Sequence, residues 1–551
     1  MAGAGDVAGK SSIVPESEHI TDVDARRSLA RARAFQGDYD AAIDMYQRLC
    51  EENAADPGLV TEMARTAAWA GRMEMALSFY GILLTPPVDR RLLEHLVPLV
   101  DGKAGGVLQQ HMDILRKRVA KGSIWQEFAD IQESRDRITA SLDTNRARRF
   151  ETIMASLHPV FMIQRKAGLE RDAKQDAWEG RLLHARNEYA ALLRLDPTNQ
   201  EAAFDAGQVE CRLGLCDLAA DRYAAMIARG QDHSLVRRAL TKMRVRHHPG
   251  LTSRYAYWRE TGYGDLAGMR RHHYGLGGDV PVLCRMNIAV VAEQWREKGD
   301  FDDTAASASG GTVSFNGPIN AWLDAAASWT LKDYSDDALD DKHLGRAEIR
   351  VNGYDYIQLG VGFSRENLPA NTFALRRGIE TDTWWLSASA DPARRVNLAA
   401  TLRRIDYSDD NKGVFHDMTL AYRFSDHPRT LKVMLTGVYR HTENDNRYVY
   451  AGNRLMTIIH PYWAPKDYTA GSVVVQWRHA LSAPHFCGND QHYYDIRIGG
   501  GSDSDSNPGG HVAATWHYEF NTRWTVELNG FLHLSEEWDA TGLDGRLAFR
   551  F

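Results

Sequence analysis

Carboxylates, guanidinium groups and phenols set at every second residue are the densest chemistry in this sequence. Asp324, Glu348, Asp417, Asp495, Glu519 and Glu527, with Tyr354 and Tyr356, fall on the polar face of alternating segments. Arg350, Arg403, Arg423, Arg440, Arg478, Arg497 and Arg546 fall on the same face. Such a row binds and releases polar groups along a path rather than at one point, unless acid and arginine pair with each other. Glycoside hydrolysis would need two opposed carboxylates in a cleft, one of them a general acid, and no pair stands out for it. We therefore expect no catalytic residue and no enzyme.

Other chemistry is thinner. His247-His248 and His272-His273 are adjacent, so in a strand the two rings of each pair point to opposite faces and cannot share a metal. Asp409-Asp410-Asn411 offers oxygens to calcium but reads as a solvated polar loop. Gly499-Gly500-Gly501 with Ser502 to Ser506 has the glycines of a phosphate loop without its Lys-Ser/Thr ending, and reads as a flexible surface loop. The five cysteines, Cys50, Cys211, Cys216, Cys284 and Cys487, lack metal spacing and read as packing residues. No metal or cofactor is expected.

The elements that carry the polar row are strands. Val396, Leu398, Ala400 and Leu402 alternate with Asn397, Ala399, Thr401 and Arg403, and similar runs cover 418–424, 431–440, 512–520 and 524–534. The chain ends Leu543 to Phe551, with Leu543, Leu547, Phe549 and Phe551 on one face and Asp544, Arg546 and Arg550 on the other. A closed barrel needs a last strand to pair with its first, because an unpaired edge is intolerable in lipid. Short turns at Asp391-Pro392, His427-Pro428 and Asn521-Thr522 alternate with longer loops at Tyr407 to Gly413 and His441 to Tyr468. Segmenting residues 250–551 on this plan predicts a transmembrane antiparallel barrel of about 16 strands. Aromatics at Tyr257-Trp258, Trp384-Trp385, Tyr422-Phe424 and Phe520-Trp524 suit interfacial girdles.

Composition agrees. A length of 551 residues implies more than one domain, and a net charge of -7 gives no push toward nucleic acid. Apolar runs stay below the roughly 18 residues of a membrane-crossing helix, which leaves a barrel open. The N-terminus, Met-Ala-Gly-Ala-Gly-Asp, lacks a secretory signal, so none is expected within this chain, and 1–23 reads as a disordered segment.

From residue 24 to 246 the pattern is helical and repeats. Gly37, Ala42, Tyr46 and Leu49 recur 34 residues later at Gly71, Ala76, Tyr80 and Leu83 (37 to 71). Gly180, Ala185, Tyr189 and Leu192 are matched in the same way by Gly214, Ala219, Tyr223 and Met226. This is the tetratricopeptide interval, in which small residues let paired helices approach and the aromatic fills the gap to the next pair. Gly207, seven residues before Gly214, supplies the small residue of a first helix. Between the pairs, Lys103 to Ala177 is helical but off register, its charge runs Arg135-Asp136-Arg137 and Arg146 to Arg149 reading as solvated faces. Trp69, Trp125 and Trp178 read as core rather than as a ligand groove.

The two halves together resemble the outer-membrane exporters of exopolysaccharides, and the barrel is most similar to the PgaA-type poly-N-acetylglucosamine export porins. Leu375-Arg376-Arg377-Gly378-Ile379 before a strand, Tyr407 to Asn411 after one, Pro461 to Asp467 entering another, and the ending Asp544-Gly545 to Phe551 carry the likeness. The helical half is brief for that family and irregular in its middle. The resemblance implies a Gram-negative outer-membrane barrel exporting a poly-β-1,6-N-acetyl-D-glucosamine-like chain in biofilm formation, with its helical domain in the periplasm. It implies three kinds of partner: the polysaccharide, outer-membrane lipid, and periplasmic modifying or synthase proteins met by the helices. Tyr462, Trp463 and Asp467 are then expected near the pore. Alternatives are an exporter of another polymer such as cellulose, a tetratricopeptide-barrel protein that inserts or displays surface proteins, and a soluble carbohydrate-active enzyme.

Overall fold

The computed structural model describes residues 22–53, 56–84, 96, 99, 109–110, 134–230, 235–261, 266, 268–282, 285–299, 304–452, 454–482, 485–486, 489–535 and 538–551. Trp125, Cys284, Cys487 and most of the segment expected to be disordered lie outside them. The chain divides into two compact units between Gln175 and Asp176.

In the first unit α1 (Val23–Gln36) pairs with α2 (Tyr39–Glu52), and α3 (Pro57–Trp69) with α4 (Met73–Leu84); α5 (Arg135–Ser141) and the long α6 (Thr144–Glu179) follow. Asp22 and Asp56 accept from backbone N–H groups at the starts of α1 and α3, answering donors that a first helical turn leaves unpaired. Ala42, Ala76 and Tyr80 are fully buried and Tyr46 nearly so. Each tyrosine keeps its hydroxyl paired: Tyr46 donates to Glu62 at 3.0 Å and Tyr80 to Glu170 at 2.8 Å. Arg65 holds that same Glu170 through two bonds of 2.6 and 2.7 Å.

The second unit continues with α7 (Leu182–Leu195), α8 (Gln200–Arg212), α9 (Cys216–Ala228) and α10 (Val236–Arg246). Here too Ala185, Ala219 and Tyr223 are fully buried and Tyr189 nearly so. The glycines of the repeat have a different use from the one expected. Gly37, Gly71, Gly180 and Gly214 sit at turns with φ of 88°, 75°, 90° and 75°, a region other residues enter only with strain. Close approach is served seven residues earlier. Ala30, Ala64 and Ala173 are fully buried, and a Cβ on Gly207 would stand 2.5 Å from the Tyr223 ring. Cys211 is disulfide-bonded, so the reading of all the cysteines as packing thiols fails there.

Helical periodicity gives way to alternation at Gly250, where a closed antiparallel barrel of sixteen strands begins. Its strands are β1 (Gly250–Glu260), β2 (Met269–Val282), β3 (Met286–Gly299), β4 (Ala305–Asn320), β5 (Leu323–Tyr334), β6 (Lys342–Tyr354), β7 (Ile357–Asn367) and β8 (Glu380–Ala393). They continue with β9 (Val396–Tyr407), β10 (Lys412–Arg423), β11 (Arg429–Thr442), β14 (Tyr468–Ala480), β17 (His492–Asp503), β18 (Pro508–Phe520), β19 (Trp524–Ser535) and β20 (Ala540–Arg550). Hairpins β12–β13 (Arg447–Ala451, Arg454–Ile459) and β15–β16 (His485–Phe486, Asn489–Asp490) lie outside the wall. Closure is made by β1 against β20, from Gly250 opposite Arg550 to Glu260 opposite Ala540.

The register carries one face unbroken around the wall. Its outer set includes Leu276 and Met418, each 66% exposed, and Leu386 at 56%. Water would penalise such a surface; hydrocarbon does not, and a closed barrel leaves no backbone edge unpaired within it. Among the described residues no helix is long and apolar enough to cross a membrane.

Four local expectations are corrected. Trp258 and Trp385 face inward, because each shares its register with inward residues, so only their neighbours Tyr257 and Trp384 belong to an outer belt. Gly499 to Gly501 lie within β17 rather than in a surface loop; a Cβ on Gly501 would stand 2.0 Å from the Gly471 carbonyl oxygen on β14. The connection after Tyr407 is only residues 408–411, and it is not merely solvated, since Asn411 is fully buried and bonded to Asn444. At the short-turn end, β14 and β17 are joined by the longer stretch that holds β15–β16.

Candidate functional site

Register decides what faces the lumen. Asp324, Glu348, Asp417, Asp495, Glu519 and Glu527 all share the inner face, together with Arg350, Arg403, Arg423, Arg440, Arg478, Arg497 and Arg546. Two tyrosines expected with them behave otherwise. Tyr356 sits in the two-residue turn between β6 and β7, half-exposed at the rim, and of Tyr354 only the backbone, paired with Ile357, is described.

Acid and arginine are paired along the wall. Arg350 donates to Glu348 at 2.7 Å and Arg346 donates to it at 3.1 Å. Arg403 and Arg440 both hold Asp417. Asp495 accepts from Gln476 and, at 3.1 Å, from Arg497. Asn352 donates to Asp324 at 2.8 Å, and Asn529 and His517 meet Glu527 at 3.1 and 3.3 Å. Interior charges of both signs thus stand in hydrogen-bonded sets, the arrangement that keeps their desolvation tolerable. His272 and His273 point to opposite faces, the first toward Tyr255 and the second toward Glu293 inside.

Sequence patterning did not reveal a further inner cluster on β3, β5 and β7. Lys332 is buried and donates to Glu297 at 2.6 Å and to Asn367 at 3.3 Å, while Tyr334 donates to Glu297 at 3.2 Å. His273 stacks on Trp295 with centroids 5.3 Å apart. The alternation rule puts Glu297, Lys332, Tyr334, His273 and Trp295 inside but gives Asn367, the last residue of β7, the opposite face, and nothing in their spacing along the chain says that they meet.

Two loops from the long-loop end fold inward and roof a cavity. The β7–β8 connection forms a short helix, α11 (Thr372–Arg376), capped by the Asn371 side chain. Leu375 packs on the inward Met269, Ala306, Ala308 and Tyr334. Ala374 and Ile379 pack with the inward Ile405 and Tyr407 and with Tyr462 and Ala464 from the loop before β14. Asn371 joins the two loops by donating to the Pro461 carbonyl at 2.8 Å. Tyr462 stacks on Tyr407 at 4.2 Å and donates to Asp409 at 2.7 Å. Burial, then this bond to an acid, pushes its phenol well above the ordinary range. Beneath lies a cavity of about 670 Å³ with Trp385, Phe415, Tyr462, Trp463 and Trp538 in its lining. Asp467, expected beside Tyr462 and Trp463, is instead held by the outward Tyr439 and His441 at 2.8 and 3.1 Å.

The opposite end carries the last helices. Asp355, in the β6–β7 turn, accepts from the backbone N–H groups of Leu183 and His184 at 2.7 and 2.8 Å, capping α7 from the barrel. Arg285, before β3, donates to Asp217 of α9 at 2.8 Å. Arg394, between β8 and β9, lies 3.1 Å from the Trp178 ring centroid. Lys242 of α10 is buried 3.1 Å from Glu519; burial holds its ammonium below the usual range, against the pull of that carboxylate. Trp178 is therefore part of this seam.

No protein-family model and no curated protein matches the chain. Among solved structures it is similar to a bacterial polysaccharide outer membrane secretin, at 10% identity and a TM-score of 0.42, over 56% of this chain and 99% of that one. CdiB from Acinetobacter baumannii matches at 10% identity and a TM-score of 0.32, over 54% of this chain and 60% of that one. OpdQ of Pseudomonas aeruginosa matches at 11% and 0.28, over 55% and 98%.

Proposed function

We propose that this protein is an outer-membrane porin that exports an exopolysaccharide, a poly-β-1,6-N-acetyl-D-glucosamine-like chain, through the lumen of its barrel. One observation carries the reading: an apolar outer wall encloses an inner wall of paired charges, hydroxyls and aromatic rings, with a roofed cavity of about 670 Å³. A sugar chain moves along such a surface by exchanging many weak hydrogen bonds and ring contacts, and it needs no catalytic step. The helices seated on the short turns act as a periplasmic tetratricopeptide-like domain that receives the chain or docks the proteins that make and modify it. For the chain to leave, the roofing loops part.

Cells lacking the protein should hold polymer in the periplasm that wild-type cells release to the medium. Neutralising Asp324, Glu348, Asp417 and Glu519 together, as Asn or Gln, should lower export. It should also shift bilayer reversal potentials toward anions, because the arginines beside Glu348 and Asp417 lose their counter-charge. Normal export and an unchanged ion preference in a correctly inserted quadruple variant would assign those acids to the wall alone.

A further inference from the structure

We propose that Trp385 is a stacking platform for a pyranose ring, a saccharide subsite under the loop roof; the proposal rests on the export reading and gives it an address. Trp385 and Gly362 are directly paired across β8 and β7, both facing the lumen. A Cβ on Gly362 would stand 2.1 Å from one indole carbon and 2.3 Å from another. Glycine is thus what allows the indole to lie down across the wall instead of standing into the pore. Phe531 lies in the same way over the inward Gly542, where a Cβ would meet the ring at 2.0 Å.

The surroundings suit a sugar. A pyranose with equatorial hydroxyls has an apolar C–H face for a flat aromatic and a rim of donors and acceptors for polar neighbours. Glu348 stands opposite Gly362 across the β6–β7 pair, fixed by Arg350 and Arg346, and the Arg346 guanidinium lies over the indole at 4.8 Å from its centroid, a place that a stacked sugar ring takes over by displacing it. Ser364, Thr383, Ser387 and Thr401 bring hydroxyls to the same cavity. The cavity lining mixes aromatic rings with hydroxyl, carboxylate and guanidinium groups, and about 670 Å³ lies within the range of small-molecule sites.

The test uses the full chain inserted in planar bilayers, with chitotetraose and maltohexaose as probes of current block. Both should interrupt the wild-type current. Trp385→Ala should raise the half-blocking concentration about ten-fold. Gly362→Ala, which keeps the indole but lifts it from the wall, should do the same, and Trp385→Phe should retain most of the block. Trp384→Ala, one residue along on the lipid face, should change nothing. Should Trp385→Ala not insert, judged by unheated gel migration, Gly362→Ala carries the test. A wild-type block that neither variant weakens overturns the platform and leaves export standing. A wild-type current that neither sugar interrupts overturns it too, whereas export is decided separately by where the deletion strain keeps its polymer.

Discussion

In the paired helices Tyr46, Tyr80, Tyr189 and Tyr223 are at most 1% exposed, whereas in the barrel Leu276, Leu386 and Met418 turn more than half of their surface outward. Both regions are amphipathic at the period of their secondary structure, and they bury opposite faces. The helices fold as they would in water, with apolar groups and hydrogen-bonded tyrosines inside. The barrel inverts this, because its outer face answers to hydrocarbon and its inner face to a polar path. One chain can therefore serve two solvents, and the arrangement of its residues shows which face each region buries.

A charge on the barrel's outer face tests the inversion with the largest effect. Leu386→Arg should cost about 2 to 4 kcal/mol near the bilayer midplane. Ala399→Arg, on the inner face of the adjacent β9, should fall within about 0.5 kcal/mol of wild type. Equilibrium unfolding from lipid vesicles measures both. Equal costs would mean that the outer face does not meet lipid.

Alternation made the barrel legible, since a period of two fixes every side chain's face once the strand is known. It located the inner acids and arginines, yet said nothing of which acid met which arginine, because pairing depends on the register and side-chain reach between neighbouring strands, which alternation alone does not fix. Asp417, held by Arg403 and Arg440 from the flanking strands, is such a case. Trp385 was misplaced because two adjacent tryptophans look alike in sequence while a strand sends them to opposite faces. The roof was hidden for another reason. Leu375 and Tyr462 lie in polar-looking loops and gain their burial from residues scattered over β2 to β10. The 34-residue interval was visible in the helices, but its glycine was assigned to packing when the left-handed turn is what demands it.

Overpacking the helices should cost less than charging the barrel. Ala219 is fully buried in α9, so Ala219→Phe should destabilise by about 1 to 3 kcal/mol, whereas Ala225→Phe, on the exposed side of that helix, should be close to neutral. Loss of helical circular dichroism on heating the detergent-solubilised chain reads the difference. Were both variants to melt alike, the buried face of α9 would be wrongly assigned and the contrast with the barrel would lose its soluble-like half.

The smallest expected effect lies where the two kinds of packing meet within one unit. Arg181 precedes α7 and makes no side-chain cap, so the N–H groups of Leu183 and His184 owe their protein partner to Asp355. A carboxylate at a helix N-terminus satisfies those donors and favours the helix dipole as well. Asp355→Ala should therefore cost about 1 kcal/mol, the usual worth of a cap. Hydrogen exchange at Leu183 and His184 should quicken about five-fold, with the strands of the barrel unaffected. Arg181→Ser supplies a local cap and, combined with Asp355→Ala, should restore most of the protection. Restoration would separate capping from any other role of the turn. Exchange unchanged in Asp355→Ala would mean that α7 owes nothing to the barrel, and that the short turns serve only to join strands.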